Sequence, residues 1–144
     1  MQSEFLTAPS LKQIGPRRWE LAADLEYRSR ILGYVVVPKG FTTDKASVPR
    51  LPFVYWTVGA RGDGPAVVHD WLYQGKYHGG VKVTRRTADA VFYEALGAQM
   101  PWGWPAEPGW AQTVMWLGVR SFGWWAWRGD RRVERLNPEM ARSA

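Results

Sequence analysis

The stretch Asp63-Gly64-Pro65-Ala66-Val67-Val68-His69-Asp70-Trp71-Leu72-Tyr73-Gln74 is where this chain changes character. Asp63 can cap a helix, and Pro65 sits just inside its start, where a missing N–H costs nothing. The spacing predicts a helix over Pro65–Gln74. The chain before it reads as strand and loop, and most of the chain after it reads as helix.

Upstream, Arg18-Trp19-Glu20-Leu21 alternates polar and apolar residues, and Asp24-Leu25-Glu26-Tyr27 resumes the alternation. Ala22 and Ala23 between them read as a slip or bulge. Ile31-Leu32-Gly33-Tyr34-Val35-Val36-Val37 is a second β-rich run, stopped by Pro38. A short turn at Arg28–Arg30 would make the two runs a hairpin. Lys39-Gly40 is a turn signal, and Phe41–Pro52 is rich in residues that favour irregular backbone.

Downstream, Gly75–Gly80 breaks the first helix and reads as a loop, with His78 in it as an exposed histidine. Thr84 can cap a second helix over Arg85–Leu96, where Ala88, Val91, Phe92 and Ala95 recur at helical spacing. Pro101–Pro108 is a connector rich in Trp, Gly and Pro. A third helix, Trp110–Gly123, puts Trp110, Val114 and Leu117 on one face. Strands first and helices after predict an α+β fold: an N-terminal antiparallel hairpin or small sheet, then about three packed helices.

The chain has 144 residues, the length of one domain. Its parts are a β-rich and loop portion over 1–52, a helical portion over 64–128 and a basic, frayed tail over 129–144. With 46% apolar and 22% charged residues it is not a disordered tail. Cysteine is absent, which excludes disulfide scaffolds, thiolate zinc sites and cysteine nucleophiles. Met1–Ser10 lacks the pattern of a signal peptide, and Trp110–Trp127 is interrupted by Gln112, Arg120 and Ser121, so no spanning helix is expected. The net charge is +6, but the arginine pairs are scattered and no zinc finger, helix-turn-helix or phosphate loop is present. No specific nucleic-acid partner is expected. The ten tryptophans either fill a small mixed core or form a surface. On the second reading Trp124, Trp125 and Trp127, with Arg128, are interface candidates for anionic lipid.

His69 carries the strongest chemical signal. Asp70 follows it directly, Tyr73 shares its helix face, and Asp89 falls on the next helix. Antiparallel packing of the two helices would let His69 and Asp89 face each other. A histidine held by an aspartate is the usual form of a general base. Asp70 would project about 100° away around the helix and could meet a hard cation held also by carbonyls of the Gly59–Gly64 loop; calcium takes such ligands. The competing reading makes His69 a hydrogen-bonded core histidine, Asp70 a solvent-facing residue and Asp89 a partner for Arg85 or Arg86. Asp44, Ser47 and Arg50 are further pocket candidates. They either join His69, or Asp44 and Ser47 satisfy loop amides while Arg50 anchors a carboxylate.

Two resemblances bear on these residues. Val37–Arg50, His69–Tyr73, Arg86 with Ala88–Phe92, and Val119-Arg120 with Gly123 resemble the phage and prophage family called domain of unknown function 1353. That resemblance implies a bacteriophage or prophage origin, with synthesis in the bacterial cytoplasm and association with the virion. His69-Asp70 with Tyr73, followed by Ala88-Asp89 and Phe92, is similar to the two active-site helices of phospholipases of the secreted A-two type, the parvoviral version above all. It implies His69 activating water, Asp89 orienting it and Asp70 ligating calcium. The glycines at 59, 62 and 64 depart from the calcium-loop spacing of those enzymes. Two functions therefore stand: a hydrolase acting on envelope lipid esters, or a non-enzymatic virion, tail or lysis-module protein in contact with phage structural proteins.

Overall fold

The computed structural model of the chain describes residues 2–16, 18–43, 63–75, 77–98, 100 and 109–122. It is an α+β arrangement of short antiparallel strands followed by three helices. The strands are β1 (Glu4–Phe5), β2 (Leu11–Gly15), β3 (Arg18–Leu21), β4 (Leu25–Ser29), β5 (Gly33–Val37) and β6 (Thr42–Thr43). Helix α1 spans Asp63–Gly75, a small hairpin β7 (Tyr77–His78) and β8 (Val81–Lys82) comes next, and α2 (Arg85–Leu96) and α3 (Gly109–Phe122) complete the described elements.

The expected hairpin is β4–β5, with Leu25 opposite Val37 and Tyr27 opposite Val35. These four side chains are buried, because the pleat sends every second residue to one face. The Ser29 hydroxyl accepts from the amides of Ile31 and Leu32, and Gly33 closes the turn at a positive φ of 79°. On the other edge β1 adds Phe5 opposite Tyr27, their ring centroids 4.6 Å apart.

Ala22 and Ala23 are not a bulge within one strand. They lie where the chain leaves the sheet β2–β3–β6 for the sheet β1–β4–β5. The register shift falls instead in β2, between Gln13 and Gly15. The two sheets are stitched at a return turn: Gly40, at φ 89°, donates to the Leu21 carbonyl, and Leu21 donates to that of Phe41.

Helix α1 is buried along almost its whole length, so its sequence carries little polar face. It packs against β5 on one side and α2 on the other. At its start a Cβ on Gly64 would stand 3.1 Å from the Phe5 ring, so a side chain there would require the ring to give by a few tenths of an ångström. Asp63 is the first residue of the helix rather than a residue ahead of it.

The Gly75–Gly80 region is more ordered than a loop. Gly79 and Gly80 take φ of 58° and 78°, the paired left-handed conformation of a two-residue hairpin turn. His78 is thereby placed in β7 and donates from Nε2 to the Leu32 carbonyl at 3.1 Å, so it is not a free surface histidine. Thr84 caps α2 as expected, its hydroxyl accepting from the Thr87 amide at 3.1 Å.

Helix α3 packs on α2 and buries Ala111 and Met115. Trp110, Val114 and Leu117 do share a face, but it is the solvent face; Trp110 is 54% exposed. A salt-linked brace joins the layers elsewhere. Glu94 of α2 accepts from the Tyr27 hydroxyl at 2.7 Å and from the Arg30 amide at 3.1 Å.

Candidate functional site

Asp89 sits on the buried face of α2, one turn inside the cap at Thr84. His69 and Tyr73 lie one helical turn apart on the facing side of α1. The antiparallel packing expected from the short connection therefore brings all three together. His69 Nε2 lies 2.9 Å from Asp89 Oδ1, and the Tyr73 hydroxyl donates to the same oxygen. His69 is 1% exposed and Asp89 0%.

A carboxylate oxygen can only accept, so Nε2 carries the proton. Neutral His69 is thereby fixed in one tautomer, with the lone pair on Nδ1. Among the described residues nothing donates to that nitrogen. The ring is clamped between Tyr73 and Phe92, at centroid distances of 4.0 and 4.8 Å.

Asp89 is held by more than the histidine. Arg120, from α3, donates through Nη1 to Oδ2 at 2.9 Å. Arg85, one turn back on α2, stands 3.9 Å from the same oxygen and donates through Nε to the Tyr73 hydroxyl at 3.2 Å. Its Nη2 donates to the Arg120 carbonyl. Burial alone would push the Asp89 carboxyl up, but hydrogen bonds from His69, Tyr73 and Arg120 outweigh it and hold it below its ordinary value. Burial and the neighbouring carboxylate push the Tyr73 phenol far up, so it stays a neutral donor.

A family model described as "Protein of unknown function (DUF1353)" matches residues 19–119. The chain belongs to that family. The matched span starts in β3 and ends in α3, so among the described elements it reaches into both three-stranded sheets, the β7–β8 hairpin and the three helices. No curated protein and no solved structure matches the chain.

Asp70 is buried, not solvent-facing, and accepts a hydrogen bond from the Thr43 hydroxyl. It thus ties α1 to β6. Among the described residues there is no group of three or more carboxylate, imidazole or thiolate ligands. Asp44, Ser47 and Arg50 lie outside the described residues, and so do Trp124, Trp125, Trp127 and Arg128.

Arg120 is the site residue that local sequence reading does not bring to the histidine. Its role depends on how α3 lies on α2, and no spacing within either helix signals that. Arg85 is legible, since it precedes Asp89 by one helical turn. Among the described residues no helix is long and apolar enough to cross a membrane.

Proposed function

We propose that this chain is a hydrolase of lipid esters in the bacterial envelope, encoded by a bacteriophage or prophage, with His69 as its general base. One observation carries the reading: Asp89 holds Nε2, and among the described residues Nδ1 is left without a donor in a buried setting. A buried polar atom left unmatched costs stability, and sites that do chemistry are where such a cost persists.

The chemistry comes from that arrangement. Nδ1 takes a proton from water as the oxygen attacks the ester carbonyl. The imidazolium that forms is stabilised by the Asp89 charge, and it returns the proton to the departing alcohol. Tyr73 and Arg120 keep the carboxylate ionised and aimed. The lipid ester as substrate rests on the likeness of the two helices to phospholipases, and the phage origin on the resemblance of the longer motifs. Synthesis in the bacterial cytoplasm and association with the virion belong to the same proposal. No step is routed through calcium.

A second reading is favoured by a different observation. His69 is 1% exposed and an arginine is seated on Asp89, as expected of a cluster that only holds three helices together in a virion, tail or lysis-module protein. Vesicle hydrolysis separates the two. In the hydrolase, His69→Gln keeps a donor to Asp89 but loses the base, and turnover falls at least ~10²-fold with the fold intact. Folded wild-type protein that binds vesicles and releases no fatty acid sinks the hydrolase.

A further inference from the structure

We infer that the outward face of the α2–α3 pair docks on an anionic lipid bilayer and lies along its surface. The inference does not rest on the hydrolase reading, and its test needs no turnover.

The apolar part of the face is on α3. Trp110, Val114 and Leu117 recur at spacings of four and three residues, so they form one stripe along the helix. The stripe faces solvent, with Trp110 54% and Leu117 51% exposed. Ala111 and Met115, on the other side, are the residues that α3 buries, so the stripe is not used in packing on α2. Beside it Trp116 meets Tyr93 of α2 edge to face, with ring centroids 6.5 Å apart. A helix with rings and aliphatic side chains on its outer side is the form that seats in a headgroup layer. Indole and phenol suit that layer, because each is an apolar body with a polar tip. Helix α3 has 14 residues and a span needs about 20, so this helix lies along a bilayer rather than through it.

Charge selects the occupant. Helix α3 contains no carboxylate, and both carboxylates of α2, Asp89 and Glu94, are buried. The carboxylates that reach solvent among the described residues lie elsewhere, in the strand region and at Asp63. Arg86 is exposed on α2, seven residues before Tyr93 and therefore on the same side of the helix. The contacts Asp89–Arg120 and Tyr93–Trp116 make the two helices antiparallel, which puts Arg86 at the Leu117 end of the stripe. Beyond α3 the sequence reaches Gly129 without an acidic residue and adds Arg128 and three tryptophans. The whole chain carries +6. Two copies meeting through this face would bring like charges together, whereas an anionic bilayer attracts them.

The test is flotation of the full chain with phosphatidylcholine vesicles, with and without phosphatidylglycerol, at low and at raised salt. Saturable binding to the phosphatidylglycerol vesicles is expected, weaker in raised salt, with little binding to phosphatidylcholine alone. Trp110→Glu should weaken it about tenfold or more, since a charge replaces a ring that enters the headgroup layer. An acid in the first turn of a helix suits its dipole, so this variant keeps the fold. Leu117→Gln should weaken binding in the same direction. Ile14→Glu makes the same change of charge at an exposed position on β2 and should leave binding within about twofold of the wild type. Folded wild-type protein that does not bind overturns the proposal. So does equal binding to the two vesicle types, unchanged binding in Trp110→Glu, or an equal loss in Ile14→Glu. Light scattering reads the competing occupant: a wild-type dimer that Trp110→Glu splits into monomers gives the face to a second copy and overturns the proposal as well. Vesicle binding without lipid hydrolysis keeps the docking face and removes the hydrolase; hydrolysis of a soluble ester without vesicle binding does the reverse.

Discussion

His69 and Arg120 occupy opposite oxygens of the Asp89 carboxylate, each at 2.9 Å. They come from α1 and α3, and the carboxylate from α2. One side chain thus joins the three described helices, and its charge serves both packing and the state of the histidine.

Removing that side chain should loosen the helices whatever the protein does. Asp89→Ala strips the acceptor from His69, Tyr73 and Arg120 and should cost roughly 1–3 kcal/mol. Denaturant unfolding measures it as a lower midpoint. An unchanged midpoint would show that the cluster contributes nothing to the fold.

Acid should reveal the same group. The Asp89 carboxyl is held below its ordinary value, so the folded state binds its proton less readily than the unfolded state does. Its contribution is complete above the ordinary carboxylate range and is lost as pH falls through the depressed folded value. Asp89→Asn should flatten this acid limb in melting temperature against pH. An acid limb of the same depth in the variant would assign the loss to other carboxylates.

Alkali should act through two phenols. Burial, with the Asp89 hydrogen bond, raises Tyr73, and burial, with Glu94, raises Tyr27. Groups raised in the folded state contribute fully below their unfolded value, about pH 10, and that contribution is lost as pH climbs towards the folded value. Phenolate absorbance should show these two ionising only with unfolding, and Tyr73→Phe or Tyr27→Phe should each shrink the late step. Early, reversible ionisation of either in folded protein would contradict the buried contacts.

Glu94 offers a control away from the histidine. Glu94→Ala leaves the Tyr27 hydroxyl and the Arg30 amide without their acceptor and should cost about 1–3 kcal/mol. The His69 ring NMR signals should be unchanged in the folded variant, since its contact with Asp89 is untouched. A shift there would mean the two clusters are not independent.

Calcium can be decided at Asp70. As a ligand, it makes vesicle hydrolysis sensitive to a chelator, and Asp70→Asn removes both the sensitivity and the activity. As a structural tie that includes its hydrogen bond from Thr43, Asp70→Asn lowers stability and leaves chelator response unaltered.

Much of the fold is legible from periodicity. The β4–β5 hairpin comes from alternation ending at Pro38, and α2 from Thr84 and its apolar spacing, because these depend on neighbours a few residues apart. The break at Ala22 and Ala23 reads as a bulge because a bulge and a change of sheet leave the same local trace. The Tyr77–Lys82 hairpin escapes such reading because its strands are two residues each, too short to show alternation.

The sequence by itself determined the class of fold, the helix that carries His69 and Tyr73, and the pairing of that helix with the one bearing Asp89. Helical spacing and short connections leave few alternatives for such neighbours. Only the tertiary structure decided that Asp70 is buried against Thr43, that Glu94 braces the hairpin, and that Arg120 reaches Asp89. Each of these joins residues at least 27 positions apart, and which side chains meet across such a distance is set by how whole elements pack.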